Sequence, residues 1–163
     1  LIAERINVTI FQIGFVVSAN LLASSLLQRY FGIVADKSDK AAMMVAGSVM
    51  MLIALALMPL SAGFYTLLLF NILMGLGSAI SIPAGSAITA QLGKKLGMGS
   101  VMGLFNTAFG IGGGIGPIVA GIILIATNLS FVFVSSAIIV LIGTIIFYYL
   151  MKNNSDYKKL AMA

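Results

Sequence analysis

The sequence predicts an all-α polytopic membrane protein with five transmembrane helices, and three observations carry that prediction. Of the 163 residues, 61% are hydrophobic and only 8% are charged, about a third of the charge a soluble domain carries. The charges are bunched, leaving apolar runs of about 18 residues or more, the length that crosses a bilayer. The connections between those runs alternate between uncharged and basic, as successive crossings require.

Taken in order, the apolar spans are expected at about residues 10–31, 41–60, 64–90, 100–125 and 131–151. About twenty helical residues rise 30 Å, so each can cross the hydrocarbon core. The first span holds the polar residues Ser18, Asn20, Ser24, Ser25 and Gln28, with Arg29 near its end. The second is continuous and methionine-rich. The third contains Pro83, which can kink a helix. The fourth, from Gly103 to Gly121, reads GLFNTAFGIGGGIGPIVAG. The fifth is smoothly apolar and ends before a basic tail.

Charge sets the expected topology. Arg29, Lys37, Lys40, Lys94, Lys95, Lys152, Lys158 and Lys159 fall on one side of the spans and Arg5 alone on the other. This asymmetry places the C-terminus and both basic loops in the cytoplasm, with residue 1 on the outer side of the cell membrane. The net charge of +5 is thereby read as a topology signal, and no nucleic-acid partner is expected. No leader with a cleavage site is expected ahead of the first span. The chain begins at Leu1, as a piece of a longer reading frame or a trimmed chain would.

Composition excludes much chemistry. Without cysteine or histidine, the chain has no disulfides, no thiolate nucleophile and none of the usual zinc or haem ligands. No metal site and no cofactor are expected. No nucleophile–base pair and no phosphate loop is present, so it is not read as an enzyme. The glycine run lacks the third glycine of a dinucleotide fingerprint and the G-K-[ST] of a phosphate loop. In a bilayer, glycine instead lets two helices approach along their backbones, and Gly112/Gly116 and Gly110/Gly114 form GxxxG pairs.

Two motifs carry a resemblance. The loop GIVADKSDKA, residues 32–41, is similar to the G-x-x-x-D-[RK]-x-G-R-[RK] signature of the major facilitator superfamily of transporters. Gly32, Asp36, Lys37 and Lys40 match it, while Asp39 replaces a glycine and Ala41 a basic residue. The local expectation is that the first helix ends near residues 32–36, a tight turn follows, and Asp39 caps the next helix. The glycine-rich span resembles the G-x8-G-x3-G-P-x2-G-G pattern of the family's antiporters. Gly103, Gly112, Gly116, Pro117 and Gly121 fall on that spacing, with Ala120 in place of one glycine.

The resemblance implies that the chain, residues 1–163, is a single transmembrane half-domain, most of one six-helix bundle. Its spans correspond to helices two to six of a half. Asn71 stands where the N-terminal half often has arginine, and the basic tail resembles a protein's end, which favours helices eight to twelve of a twelve-helix drug/proton antiporter-like transporter. Asp36 is then the gating residue of the loop. The implied partners are a small-molecule substrate, the lipid bilayer, and the missing N-terminal half or another membrane chain.

Function is expected at polar residues inside the spans. Ser18, Ser25 and Arg29 share one helical stripe, and Asn71 and Asn106 are further candidates for lining a cavity. No carboxylate or lysine lies within any expected span, so a proton-binding group would lie in the missing half. The expected activity is secondary active transport by alternating access, exporting drugs or small amphipathic molecules with proton coupling. The alternatives are uptake of organic anions or metabolites, or a short non-transporting membrane protein that acts through helix–helix association. Arg29 could hold a negative substrate, but its expected place is close to the membrane surface.

Overall fold

The computed structural model describes residues 8–153. Five helices long and apolar enough to cross a membrane account for nearly all of them: α1 (Ile10–Lys37), α2 (Lys40–Leu57), α3 (Phe64–Leu96), α4 (Met98–Ala126) and α5 (Leu129–Asn153). The molecule is a multi-pass membrane protein.

Each start and stop has a local cause. Thr9 opens α1 with a capping box: its hydroxyl accepts from Gln12 N at 3.3 Å while Gln12 Oε1 accepts from Thr9 N at 2.9 Å. Asp39 caps α2 as expected, its Oδ1 accepting from Ala41 N at 2.9 Å and Ala42 N at 3.1 Å. Pro59, which cannot donate to a continuing helix, sits in the short 3-10 turn Met58–Leu60 that ends α2. A single residue, Gly97, separates α3 from α4 at φ 103°, a conformation that glycine adopts without steric cost.

The helices overrun several expected spans. The first continues to Lys37 rather than ending at residue 31, and the third to Leu96 rather than residue 90. The physical reason is that no proline interrupts RYFGIVADK or TAQLGKKL; charged residues end the apolar run without ending the helix. Helix α4 likewise runs unbroken through Pro117, and α3 through Pro83.

Helix α3 is the centre of the bundle, with α1, α2 and α4 packed around it and α5 against α2. It runs parallel to α1: Asn20 Nδ2 donates to Asn71 O, and further along both helices Ser24 Oγ lies 3.0 Å from Ser78 Oγ. Against α2 it runs antiparallel, with Gly47 facing Gly77 and Ser81, and Gly85 facing Met44. A small core of Val16, Met58 and Leu67, joined by Phe64 and Phe133, closes the uncharged end. Lys37, Lys40, Lys94, Lys95 and Lys152 lie at the opposite helix ends. Arg5, Lys158 and Lys159 lie outside the described residues.

The glycines that bring helices together are not those of the glycine-rich span. A Cβ on Gly47 would lie 2.6 Å from Gly77 O, one on Gly77 2.7 Å from Gly47 O, and one on Gly75 2.9 Å from Asn20 O. Residues 75 and 77 are about 200° apart around the helix, so one serves α1 and the other α2. In α4, by contrast, nothing approaches Gly103, Gly110, Gly112, Gly114, Gly116 or Gly121 within 4 Å. Their expected close packing is not made among the described residues: α4 has no buried residue, and its close approaches to α3, Phe105 to Gly85 and Met98 to Gly93, lie near its start, before the glycine run from Gly110.

Candidate functional site

Helix α1 carries two polar faces. One is used within the bundle. Gln28 Nε2 donates to Ser24 Oγ at 3.0 Å, Ser24 meets Ser78, and Ser78 Oγ donates to Gly75 O at 2.8 Å. Ser24 is buried. These contacts form a hydrogen-bonded seam with α3, where apolar surface alone gives helices little reason to associate in lipid.

The other face is open. Ser18, Ser25, Arg29 and Asp36 are all exposed and fall within about 40° of one another at 100° per residue. Three of the expected cavity residues therefore share a face with the expected gating residue. The same seam that buries Ser24 and half-buries Asn20 turns this face away from α3. Asn71 does not join it. Its Nδ2 donates to Leu67 O at 3.0 Å and lies 3.7 Å from Met58 Sδ, and its backbone carbonyl accepts from Asn20 Nδ2 of α1, so it is part of the packed α1–α3 contact rather than an open lining. The reason is register: residues 71, 75 and 78 of α3 all turn toward α1.

The expected loop motif is divided by the helix ends. Gly32, Asp36 and Lys37 occupy the last two turns of α1, and Asp36 and Lys37 are exposed. Lys40 is the first residue of α2 and is buried, 3% exposed. On α3, Gln91 Oε1 is buried without a hydrogen-bond partner among the described residues. Sequence reasoning missed Gln91, and no pattern in the sequence marks it.

The glycine–proline motif of α4 also divides. Gly103, Gly110, Gly114, Pro117 and Gly121 lie within roughly 60° of one another, while Gly112 and Gly116 lie on the opposite side, the side from which Phe105 reaches Gly85. Pro117 has no N–H to offer, which leaves the carbonyl of Gly113 without its helical partner. Thr107 Oγ1 donates to Gly103 O at 2.8 Å, and Asn106 is exposed beside this face. The open faces of α1 and α4 are thus distinct strips, each flanking α3.

Among the described residues, no group of three or more histidine, cysteine or acidic side chains could hold a metal.

Comparison with known proteins gives this arrangement a context. The chain is 30% identical over 148 residues to an MFS-type transporter of Methanocaldococcus jannaschii, covering 91% of this chain and 38% of that protein. It is 30% identical over 124 residues to the fosmidomycin resistance protein of Escherichia coli, covering 76% of this chain and 30% of that one. A riboflavin transporter of Clostridioides difficile is 28% identical over 123 residues, 76% of this chain and 27% of its own. The chain therefore spans less than two fifths of the length of these curated relatives. No solved structure matches. The family profile that matches, over residues 1–161, is one of transporters rather than enzymes, and by that match the chain belongs to the Major Facilitator Superfamily.

Proposed function

We propose that this chain forms helices eight to twelve of a secondary active transporter that works by alternating access and exports small amphipathic molecules in exchange for protons. The observation that carries the reading is the pair of open faces on α1 and α4. Both flank the central α3, and both carry small or polar residues where a lipid-facing helix would be apolar. A second bundle covering these strips would enclose a midplane site between two halves, the arrangement in which rocking exposes a substrate to alternate sides.

Export is favoured by the antiporter-like spacing of Gly103, Gly112, Gly116, Pro117 and Gly121, and by relatives named for fosmidomycin resistance and citrate export. Asp36 is the gate on this reading: it is exposed at the basic end of the face that the other half would cover. Lys40 is instead packed into its own bundle. The described carboxylates, Asp36 and Asp39, lie at the helix ends, so the proton-binding group belongs to another part of the transporter. The basic ends face the cytoplasm.

The test is transport by the protein carrying these residues, reconstituted in liposomes with an acidic lumen. Labelled citrate, benzoate, riboflavin and tetraphenylphosphonium are offered outside. Accumulation of at least one, abolished by a protonophore, is expected. Asp36→Asn should cut the initial rate severalfold while leaving membrane insertion unchanged. Accumulation that persists without the proton gradient would refute the coupling, and an unchanged rate in Asp36→Asn would refute the gate.

A further inference from the structure

We infer that Met98 is an oxidation-sensitive latch: its thioether fastens the start of α4 to α3, and conversion to the sulfoxide by a peroxide releases it. The inference goes beyond transport and stands whether or not the transporter reading does.

The fastening is geometric. Three glycines of α3 each receive a methionine from a neighbouring helix: Met51 lies against Gly77, Met44 against Gly85 and Met98 against Gly93. The last fit is tight. Gly93 is buried, and a Cβ built on it would lie 2.8 Å from Met98 Sδ and 3.1 Å from Met98 Cα. The sulfur therefore occupies the space that a side chain at residue 93 would fill. Gly97, at φ 103°, folds the chain back so that the first residue of α4 can make this contact. Helix α4 has no buried residue, so the contact is a large part of what fastens its first turn.

Place makes Met98 the methionine that an oxidant meets first. Met44 and Met51 are half-buried within the second apolar run. Met98 is 45% exposed and falls between the runs at residues 64–90 and 100–125, beside the exposed Lys94 and Lys95. Among the described residues it is the one exposed methionine. Thioether oxidation follows exposure, so a peroxide in water reaches Met98 ahead of the methionines inside the spans.

The chemistry turns that access into release. A lone pair on Sδ attacks one oxygen of hydrogen peroxide, the O–O bond breaks and an S–O bond forms. Sulfur loses two electrons, and the second oxygen leaves as water with both peroxide protons. The product is larger, polar and a hydrogen-bond acceptor in place of a flexible apolar chain. The backbone of Gly93 offers it nothing, because N–H groups there are spent on bonds within α3. A sulfoxide held in the notch would be an unsatisfied acceptor, so the side chain turns out to water and the start of α4 loses its seat.

The experiment exposes the protein carrying these residues, in lipid nanodiscs, to hydrogen peroxide and reads peptide masses and backbone hydrogen exchange. Met98 should gain one oxygen about tenfold faster or more than Met44 or Met51. Amides of residues 93–105 should then exchange severalfold faster, while those of α1 keep their rates. Methionine sulfoxide reductases should restore the original exchange. Met98→Leu, which fills the notch without a sulfur, should show no peroxide-induced change. Met98→Gln, polar and uncharged like the sulfoxide, should exchange fast without peroxide. Oxidation of Met98 that leaves exchange unchanged overturns the inference, as does oxidation no faster than at Met44 and Met51. A peroxide-induced change that persists in Met98→Leu also overturns it. Should that variant fail to fold, the oxidation, exchange and reductase readings on wild type decide alone.

Discussion

Gly47 and Gly77 are the residues at which one added methyl group would meet a neighbouring backbone, each 2.7 Å or less from the other's carbonyl oxygen. Gly47→Ala should therefore force α2 and α3 apart and cost about 1–3 kcal/mol, the usual range for overpacking. A lowered melting temperature in detergent would show it. Gly14→Ala is the control: nothing lies within 4 Å of that Cβ, and alanine's better helix propensity should leave stability unchanged or slightly raised. Gly97→Ala tests a different constraint, since a left-handed φ penalises any Cβ whatever the space around it, by about 1–2 kcal/mol. These three glycines look alike in the sequence. What separates them is which partner helix stands opposite, and no local pattern records that. The G-x-G of residues 75–77 did hold a clue, because two glycines on opposite helix faces suit a helix with neighbours on both sides.

Among elements, the α1–α3 seam is the contact most open to dissection. Ser24 and Ser78 meet hydroxyl to hydroxyl at 3.0 Å, and a double-mutant cycle of Ser24→Ala and Ser78→Ala should return a coupling of about 0.6 kcal/mol, typical of interhelical hydrogen bonds in membranes. A coupling indistinguishable from zero would mean that shape alone holds the pair. The five helices were legible from hydropathy, since a bilayer forces each apolar run to close its own hydrogen bonds. Their ends were less so. Asp39 declared itself as a cap, but α1 ran six residues beyond its apolar stretch because hydropathy reports where lipid stops, not where helix does. The candidate cavity residues were readable as a stripe on one helix, whereas the removal of Asn71 into the α1–α3 contact depended on the register between two helices.

At the scale of the whole molecule, the bundle has an apolar end closed by Val16, Met58 and Leu67 and an opposite end ringed by lysines. Transfer of positively charged segments across the membrane is disfavoured during insertion, so the lysine-ringed end should remain in the cytoplasm. The absence of cysteine from the sequence permits a direct measurement with single introduced thiols. Gly99 lies in the first turn of α4 at the basic end, exposed and with nothing near its Cβ, and Thr127 is exposed at the other end of the same helix. In sealed right-side-out vesicles, a membrane-impermeant maleimide should label Thr127→Cys and spare Gly99→Cys; in inverted vesicles the pattern should reverse. Labelling of Gly99→Cys from outside would invert the assigned topology. It would also place the face bearing Asp36 at the extracellular rim, where it could not act as a cytoplasmic gate.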